Sequence, residues 1–457
     1  MDLPAFDSRD PASYAARFDA LWPICRSITG EGLRRSLDML GDEMGMTREG
    51  VASGTRVFDW TVPPEWTIRG ARLTGPDGRV VADMAETNLR VVNYAAPVDR
   101  ELDLAELQAH LHSIPGQPDL IPYVTSYYRR DWGFCLRQTE RDTLVPGRYR
   151  ATIDADLSPG EVSYSTGLLP ANEGDNGGEV LLTSYLCHPS MANNELSGPL
   201  VLRGLHDRIA AWPRRRYGYR FLLNPETIGS LCYLHDHGAA TMADTRAGLV
   251  LTCLGGPAPR LSFKASRRGD APLDRLAAHL AATDGDMGPE LRPFDPTGGS
   301  DERQFCAPGF DLPMGQMART IYGRYPEYHT SGDDRALMGF APLVDAVDRI
   351  EEMLMLHETM GPWRSTAPMG EPQLGRRGLY PSVNSPTNWH LSNDETMDAR
   401  AMLDTLLWVL SDADGMRDLL GTSARSGIAL RDMVPVVRTL EAQGLIVHAG
   451  VGAGGAP

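Results

Sequence analysis

"EVLLTSYLCHPSMANNELSGPLVLRGLHDRIAAW", residues 179–212, is the key to the architecture. It opens as a near-continuous apolar run, the signature of a strand buried on both faces. It closes as an amphipathic helix beginning near Leu196. Between the two, a cysteine, a histidine, two asparagines and a glutamate fall within nine positions. Polar groups this dense at the end of a buried strand are costly unless they bind something or cap the helix.

The same alternation continues to about residue 362. "YGYRFLLN", "AGLVLTCL", "RLSFKAS" and "LPMGQMAR" read as strands, "ETIGSLCYLHDH" and "PLDRLAAHLAA" as helices, and "ALMGFAPLVDAVDRIEEMLMLHETM" as a long closing helix. Apolar strands separated by helices predict an α/β three-layer sandwich, whose site lies beyond the carboxyl ends of the strands. Residues 14–46 read as helical. From 55 to 153 the texture changes to short β-rich runs with Pro-Pro and Pro-Asp-Gly punctuation, which predicts a small inserted β-rich domain. "EPQLGRRGLYPS" (371–382) reads as a linker, and 385–450 has the order of a winged helix. The α/β domain is thus expected over 1–54 and 154–370.

The chain has 457 residues, 42% apolar and 23% charged, with a formal charge of −16. That balance disfavours nucleic acid and anionic membrane as partners. No apolar stretch reaches the roughly 18 residues of a membrane span. "MDLPAFDSRDPASYAARF" lacks the basic start and apolar core of a secretory signal, and the six scattered cysteines contain no CxxC. A cytoplasmic protein with reduced thiols is expected.

Several strands of the α/β segment are followed by residues capable of chemistry, while "GLVLTCL" is followed by Gly255 and Gly256. His188, Asn194 and Glu195 follow the first, Glu226 the second, Asp301 and Glu302 the run "FDPTGGS", and His329, Asp333 and Asp334 the run "RTIYGRYPEY". Two histidines and several carboxylates at one sheet edge form a ligand set suited to zinc. Regular strand alternation would point Cys187 away from His188. Each patch also has a plain structural reading: Asn194 or Ser197 as a helix cap, "PETIGS" as a helix start, "GGSDE" as a turn, and "YHTSGDD" as a cap for the closing helix.

His188, "NELSG" (194–198), "PETIGS" (225–230) and "YHTSGDD" (328–334) resemble, in order, the motifs of the co-catalytic zinc exopeptidases of the aminopeptidase and glutaminyl-cyclase type. "LWPICRSITGEG", "FDWTVPPEWTIR", "SYLCHPSMANNELSGP" and "LGRRGLYPS" make the whole chain similar to a bacterial family of aminopeptidase-like proteins. Those carry an inserted β domain and a C-terminal winged helix, and are often found beside polysaccharide or natural-product biosynthesis functions.

The resemblance implies a zinc-dependent amide hydrolase acting on a peptide or aminoacylated small molecule, with Glu226 as general base. Three carboxylates of the two-metal pattern are replaced, by Asn194, Thr227 and Thr252 or Cys253. The expectation is therefore one Zn²⁺ per chain, held by His188, His329 and a carboxylate, with Glu195 first and Asp301 second. Asp301 or Asp333 could orient a ligand histidine, and Tyr322, Tyr325 or Tyr328 could stabilise an oxyanion. The alternatives are an acyl or aminoacyl transferase or cyclase on the same platform, or a metal-free binding protein in which the winged helix is the working part. That unit is expected to mediate protein contacts or homo-oligomerisation.

Overall fold

The computed structural model describes residues 3–173, 177–380 and 399–450. The centre is an eight-stranded mixed sheet. In chain order its strands are β1 (Thr47–Ala52), β2 (Glu161–Leu169), β3 (Glu179–Tyr185), β4 (Gly218–Asn224), β5 (Thr245–Leu251), β6 (Ser262–Lys264), β7 (Glu290–Arg292) and β8 (Met314–Ala318). They lie side by side as β1-β2-β4-β3-β5-β8-β6-β7. The four at the centre, β4, β3, β5 and β8, run parallel. Their carboxyl ends therefore open on one edge.

Both faces of these strands are buried, with the period of two that a strand requires. Val180, Leu182, Phe221, Leu223, Leu249 and Leu251 enter one core. They pack there with helices α1 (Pro11–Leu21), α2 (Glu31–Gly41), α3 (Ser197–Ala210), α5 (Pro272–Thr283) and α6 (Phe340–Met360). Leu181, Leu222 and Val250 enter the other, with α4 (Ile228–Asp244) and the insert. The expected three-layer sandwich is thus formed.

The insert is a four-stranded antiparallel sheet of Glu65–Thr74, Val80–Asp83, Val98–Asp103 and Arg148–Ser158. A long excursion from it reaches the carboxyl edge of the main sheet. There the Tyr123 N–H donates to the His329 carbonyl (2.8 Å) and Pro122 bridges to Thr330.

In the C-terminal unit Trp363–Ser365 pairs antiparallel with Ile446–His448, so one strand comes from residues ahead of the linker. The expected start at 385 lies outside the described residues. Helices α7 (Ala399–Asp412), α8 (Leu419–Ser426) and α9 (Leu430–Ala442) follow. Met433, Val436, Val437 and Leu440 of α9 share one buried cluster with Met353 and Leu354 of α6. Arg431 spans the junction to Glu352 and Arg275 to Asp418. Among the described residues no helix is long and apolar enough to cross a membrane.

Candidate active site at the carboxyl edge of the sheet

The strand preceding His188 ends at Tyr185, and the next three residues leave strand geometry. Alternation therefore no longer governs where Cys187 points, and the expectation that it faces away from His188 is not met. Its Sγ lies 3.5 Å from His188 Nδ1 and accepts the Glu226 backbone N–H. Burial pushes that thiol up to about 11, so it stays protonated.

Ala192–Leu196 form a π-helical turn before α3. Neither Asn194 nor Ser197 caps it. The Asp333 carboxylate does, accepting the N–H groups of Asn193 (2.6 Å) and Asn194 (2.9 Å) and the Tyr325 hydroxyl (3.0 Å). Asp333 is thus a remote helix cap. Its oxygens are spent there, and among the described residues they hydrogen-bond to neither His188 nor His329.

His188 is the hub. Its Nδ1 donates to Glu195 Oε2 at 2.8 Å, and its Nε2 faces Glu226 Oε2 at 3.7 Å. Behind Glu195 stands Arg26, with Nε 3.6 Å from Glu195 Oε1 and both side chains fully buried. Arg26 also donates to the carbonyls of His188 and Leu21. The hydrogen bond from Nδ1 to Glu195 fixes the plane of the ring and turns Nε2 toward Glu226. Burial alone would lower the His188 pKa, but Cys187 and Glu195 outweigh it and hold it well above the ordinary value.

His329 sits in a left-handed conformation, φ +57°, where a non-glycine residue is strained. Tyr328 stacks on its ring at 3.9 Å, and Tyr123 packs edge-on against it and tilted against His188. The two imidazole centroids are 5.4 Å apart. His329 Nε2 is buried with no hydrogen-bond partner among the described residues. Burial and the neighbouring His188 depress its pKa to about 3, so the ring is neutral. A buried, unpartnered lone pair normally requires an explanation.

Glu226 is the reachable carboxylate, its side chain 28% exposed. Ser300 Oγ donates to its Oε1 at 2.6 Å. Burial raises its pKa; His188 and the Ser300 hydrogen bond oppose the rise. Asp301 lies behind it. Its oxygens accept from Asn224 Nδ2, the Thr227 N–H and Ser230 Oγ, at 2.6–2.9 Å, which consumes them in holding the backbone after Glu226. Burial pushes this carboxyl up to about 7.

The edge thus brings His188, Glu195, Glu226 and His329 together and sets Asp301 behind them. Where acidic groups would be needed for a second cation, Asn194, Tyr185 and Thr252 form a neutral network: the Tyr185 hydroxyl lies 2.6 Å from Thr252 Oγ1 and 3.1 Å from Asn194 Oδ1. Sequence reasoning missed Arg26, Tyr123 and Ser300. Ser300 lies inside "GGSDE", which reads as a turn, and Arg26 inside the family stretch "LWPICRSITGEG"; no local pattern marks Tyr123.

Two groups of donor atoms at this edge could hold a metal. Donor atoms of Cys187, His188 and Glu195 all lie within 4.8 Å of one another. The Glu195–Nδ1 separation is, however, that of a hydrogen bond, shorter than the roughly 3.3 Å between ligand atoms on a tetrahedral zinc. The Nε2 side fits better. Two imidazoles on one zinc, each with its centroid about 3.2 Å from the ion, would have centroids about 5.2 Å apart, close to the separation found here.

A mixed sheet that delivers a histidine and a glutamate from adjacent carboxyl ends makes this an α/β protein with a candidate site at its sheet edge, and its fold is aminopeptidase-like by comparison with known structures. The chain belongs to the DUF4910 family, a domain of unknown function, whose model matches residues 16–359. A winged helix-turn-helix family matches 361–448. It is 38% identical over 415 residues to a Clostridium acetobutylicum protein provisionally named a polysaccharide biosynthesis protein with an aminopeptidase-like domain, covering 90% of this chain and 91% of that one. A crystal structure from Clostridium acetobutylicum, provisionally titled a peptidase, superposes with a TM-score of 0.84 at 34% identity, covering 96% of this chain and 97% of that one. The zinc aminopeptidase of Bacillus subtilis shares the fold, with a TM-score of 0.57 at 12% identity, covering 78% and 95%.

Proposed function

We propose that the protein is a zinc-dependent amide hydrolase of aminopeptidase type, with one metal per chain and a peptide or aminoacylated small molecule as substrate. The observation that carries this reading is the buried Nε2 of His329, without a hydrogen-bond partner among the described residues, beside His188, whose Nδ1 is engaged by Glu195 so that its Nε2 is the nitrogen turned toward Glu226. His188 and His329 would hold the ion. Bound zinc would polarise the substrate carbonyl and bring the pKa of a coordinated water toward about 7.

The chain's own residues do the rest. Glu195, backed by Arg26, fixes the tautomer and plane of His188. Glu226 Oε2 takes the proton of the attacking water and passes it to the leaving nitrogen, a role typically contributing about 10²–10⁴-fold. Ser300 holds the other oxygen so that Oε2 faces the histidines. Tyr325 and Tyr322 have their hydroxyls engaged, by Asp333 and Gln316. Among the described residues the Tyr328 hydroxyl has no hydrogen-bond partner, and burial, with Glu226 adding to it, raises its pKa and keeps it protonated, so it is the donor available to a developing oxyanion.

Elemental analysis of protein purified with zinc present, paired with release of p-nitroaniline from aminoacyl anilides, tests the reading. One zinc per chain is expected, with Glu226→Gln keeping the metal and losing turnover. Absence of stoichiometric metal refutes the proposal. Loss of zinc from Glu226→Gln makes Glu226 a ligand instead of the base.

A further inference from the structure

The 457-residue chain contains one lysine, Lys264; every other member of its 44 lysines and arginines is arginine. That lysine is not on the surface. It ends β6 with 1% of its area exposed, against a glutamate, Glu302, that is fully buried. Its ammonium donates to the Asp295 carbonyl (2.7 Å), the Gly298 carbonyl (2.5 Å) and Glu302 Oε1 (2.9 Å), with the Phe294 ring 5.2 Å away. Glu302 in turn accepts the Ser300 N–H (3.0 Å) and Gln316 Nε2 (3.0 Å).

Two carbonyls and a carboxylate converging on one point suit the three donors of an ammonium. A planar guanidinium, larger and forked, cannot address them from the same place. The pair also leaves no room above it. A Cβ on Gly299 would meet Glu302 Oε1 at 2.1 Å and Lys264 Nζ at 2.7 Å. The clamp therefore fixes the path of residues 295–300, and the last of these is the one whose Oγ holds Glu226 at 2.6 Å.

We infer that Lys264 is a positioning residue: its buried pairing with Glu302 presets the 295–300 loop so that Ser300 orients the carboxylate of Glu226. The inference rests on the reading of Glu226 as general base. The chain of contacts runs from Lys264 through Glu302 to the Ser300 backbone, and from the Ser300 hydroxyl to Glu226. Releasing the ammonium lets the loop shift, and displacement of a catalytic group by about 1 Å can cost about 100-fold in rate.

A single lysine makes the test clean. Protein grown with ¹⁵N-lysine carries one side-chain ammonium resonance. In the wild-type protein it is expected to be observable at neutral pH, because its protons are bonded and shielded, and to be lost in Glu302→Gln. Lys264→Arg and Glu302→Gln should each lower kcat on an aminoacyl p-nitroanilide about 100-fold, with KM within about threefold and zinc content unchanged. Circular dichroism checks folding, and the isosteric Glu302→Gln carries the test where the arginine variant does not fold. Absence of a protected ammonium signal in the wild type overturns the inference, as does wild-type kcat in a folded variant. Retained turnover in Glu226→Gln would instead overturn the base assignment, so the two failures are distinguishable.

Discussion

Glu195→Gln separates a carboxylate that binds a metal from one that holds a histidine. Glutamine preserves the shape of Glu195 but removes its charge and offers Nδ1 a neutral acceptor. If Glu195 acts through His188, zinc affinity should fall about 10–100-fold, the range for losing a partner of a ligating imidazole, or about 1.4–2.7 kcal/mol. Stability changes as well. Arg26 is fully buried, and its guanidinium loses the anion at 3.6 Å. Breaking a buried pair from one side costs about 3–5 kcal/mol. Arg26 keeps its bonds to the His188 and Leu21 carbonyls, which argues for the lower end. The assays are competition for zinc against a chromogenic chelator, and thermal melting of the metal-free protein. A folded variant with no measurable zinc binding would make Glu195 a direct ligand. Unchanged affinity and melting would refute the relay altogether.

His188→Ala and His329→Ala should each lose zinc on dialysis against a mild chelator, while His206→Ala retains it: His206 lies about ten residues along the helical segment from Leu196, roughly 15 Å from the site. Tyr328→Phe should keep metal and KM but lower kcat about 10²-fold or less, read from anilide hydrolysis, if its hydroxyl meets the oxyanion. The junction with the C-terminal unit should be acid-sensitive. Burial depresses His357 to about 4 and His448 to about 3, and His357 Nδ1 and His448 Nε2 have no hydrogen-bond partners among the described residues. Because both folded values lie below the ordinary 6.5, their contribution to stability is complete above about pH 6.5 and is lost progressively as the pH falls toward 3. Melting temperature against pH should therefore decline over that window, with a shallower decline in His448→Phe.

The layers of the fold were legible because they depend on local pattern. Val180, Leu181 and Leu182 had to be buried on both faces, and the run from Pro199 to Ile209 had to be a helix, although the fold buries it on nearly all sides where its pattern reads as amphipathic. Strand ends followed, and with them His188, Glu226 and His329. Roles within the site were less legible, since each depended on a partner remote in the chain. The cap of the Ala192–Leu196 turn comes from Asp333, 140 residues from Asn193. The Cys187 thiol meets His188 because β3 stops at Tyr185, a point that period-two alternation cannot mark. Asp301 was a fair ligand by composition, yet three donors around Asn224 and Ser230 absorb it.

Lys264 shows the boundary most clearly. That the chain carries one lysine is a count, available to anyone reading 457 letters. Its use depends on β6 placing it beside Glu302 beneath the 295–300 loop. The physical reason is one of range. Hydrophobic periodicity acts over neighbours a few residues apart and survives in the sequence, whereas a hydrogen bond is satisfied by whichever donor the folded chain brings within about 3 Å. The same holds for the pairing of Glu195 with Arg26, 169 residues apart in the chain and 3.6 Å apart in the fold.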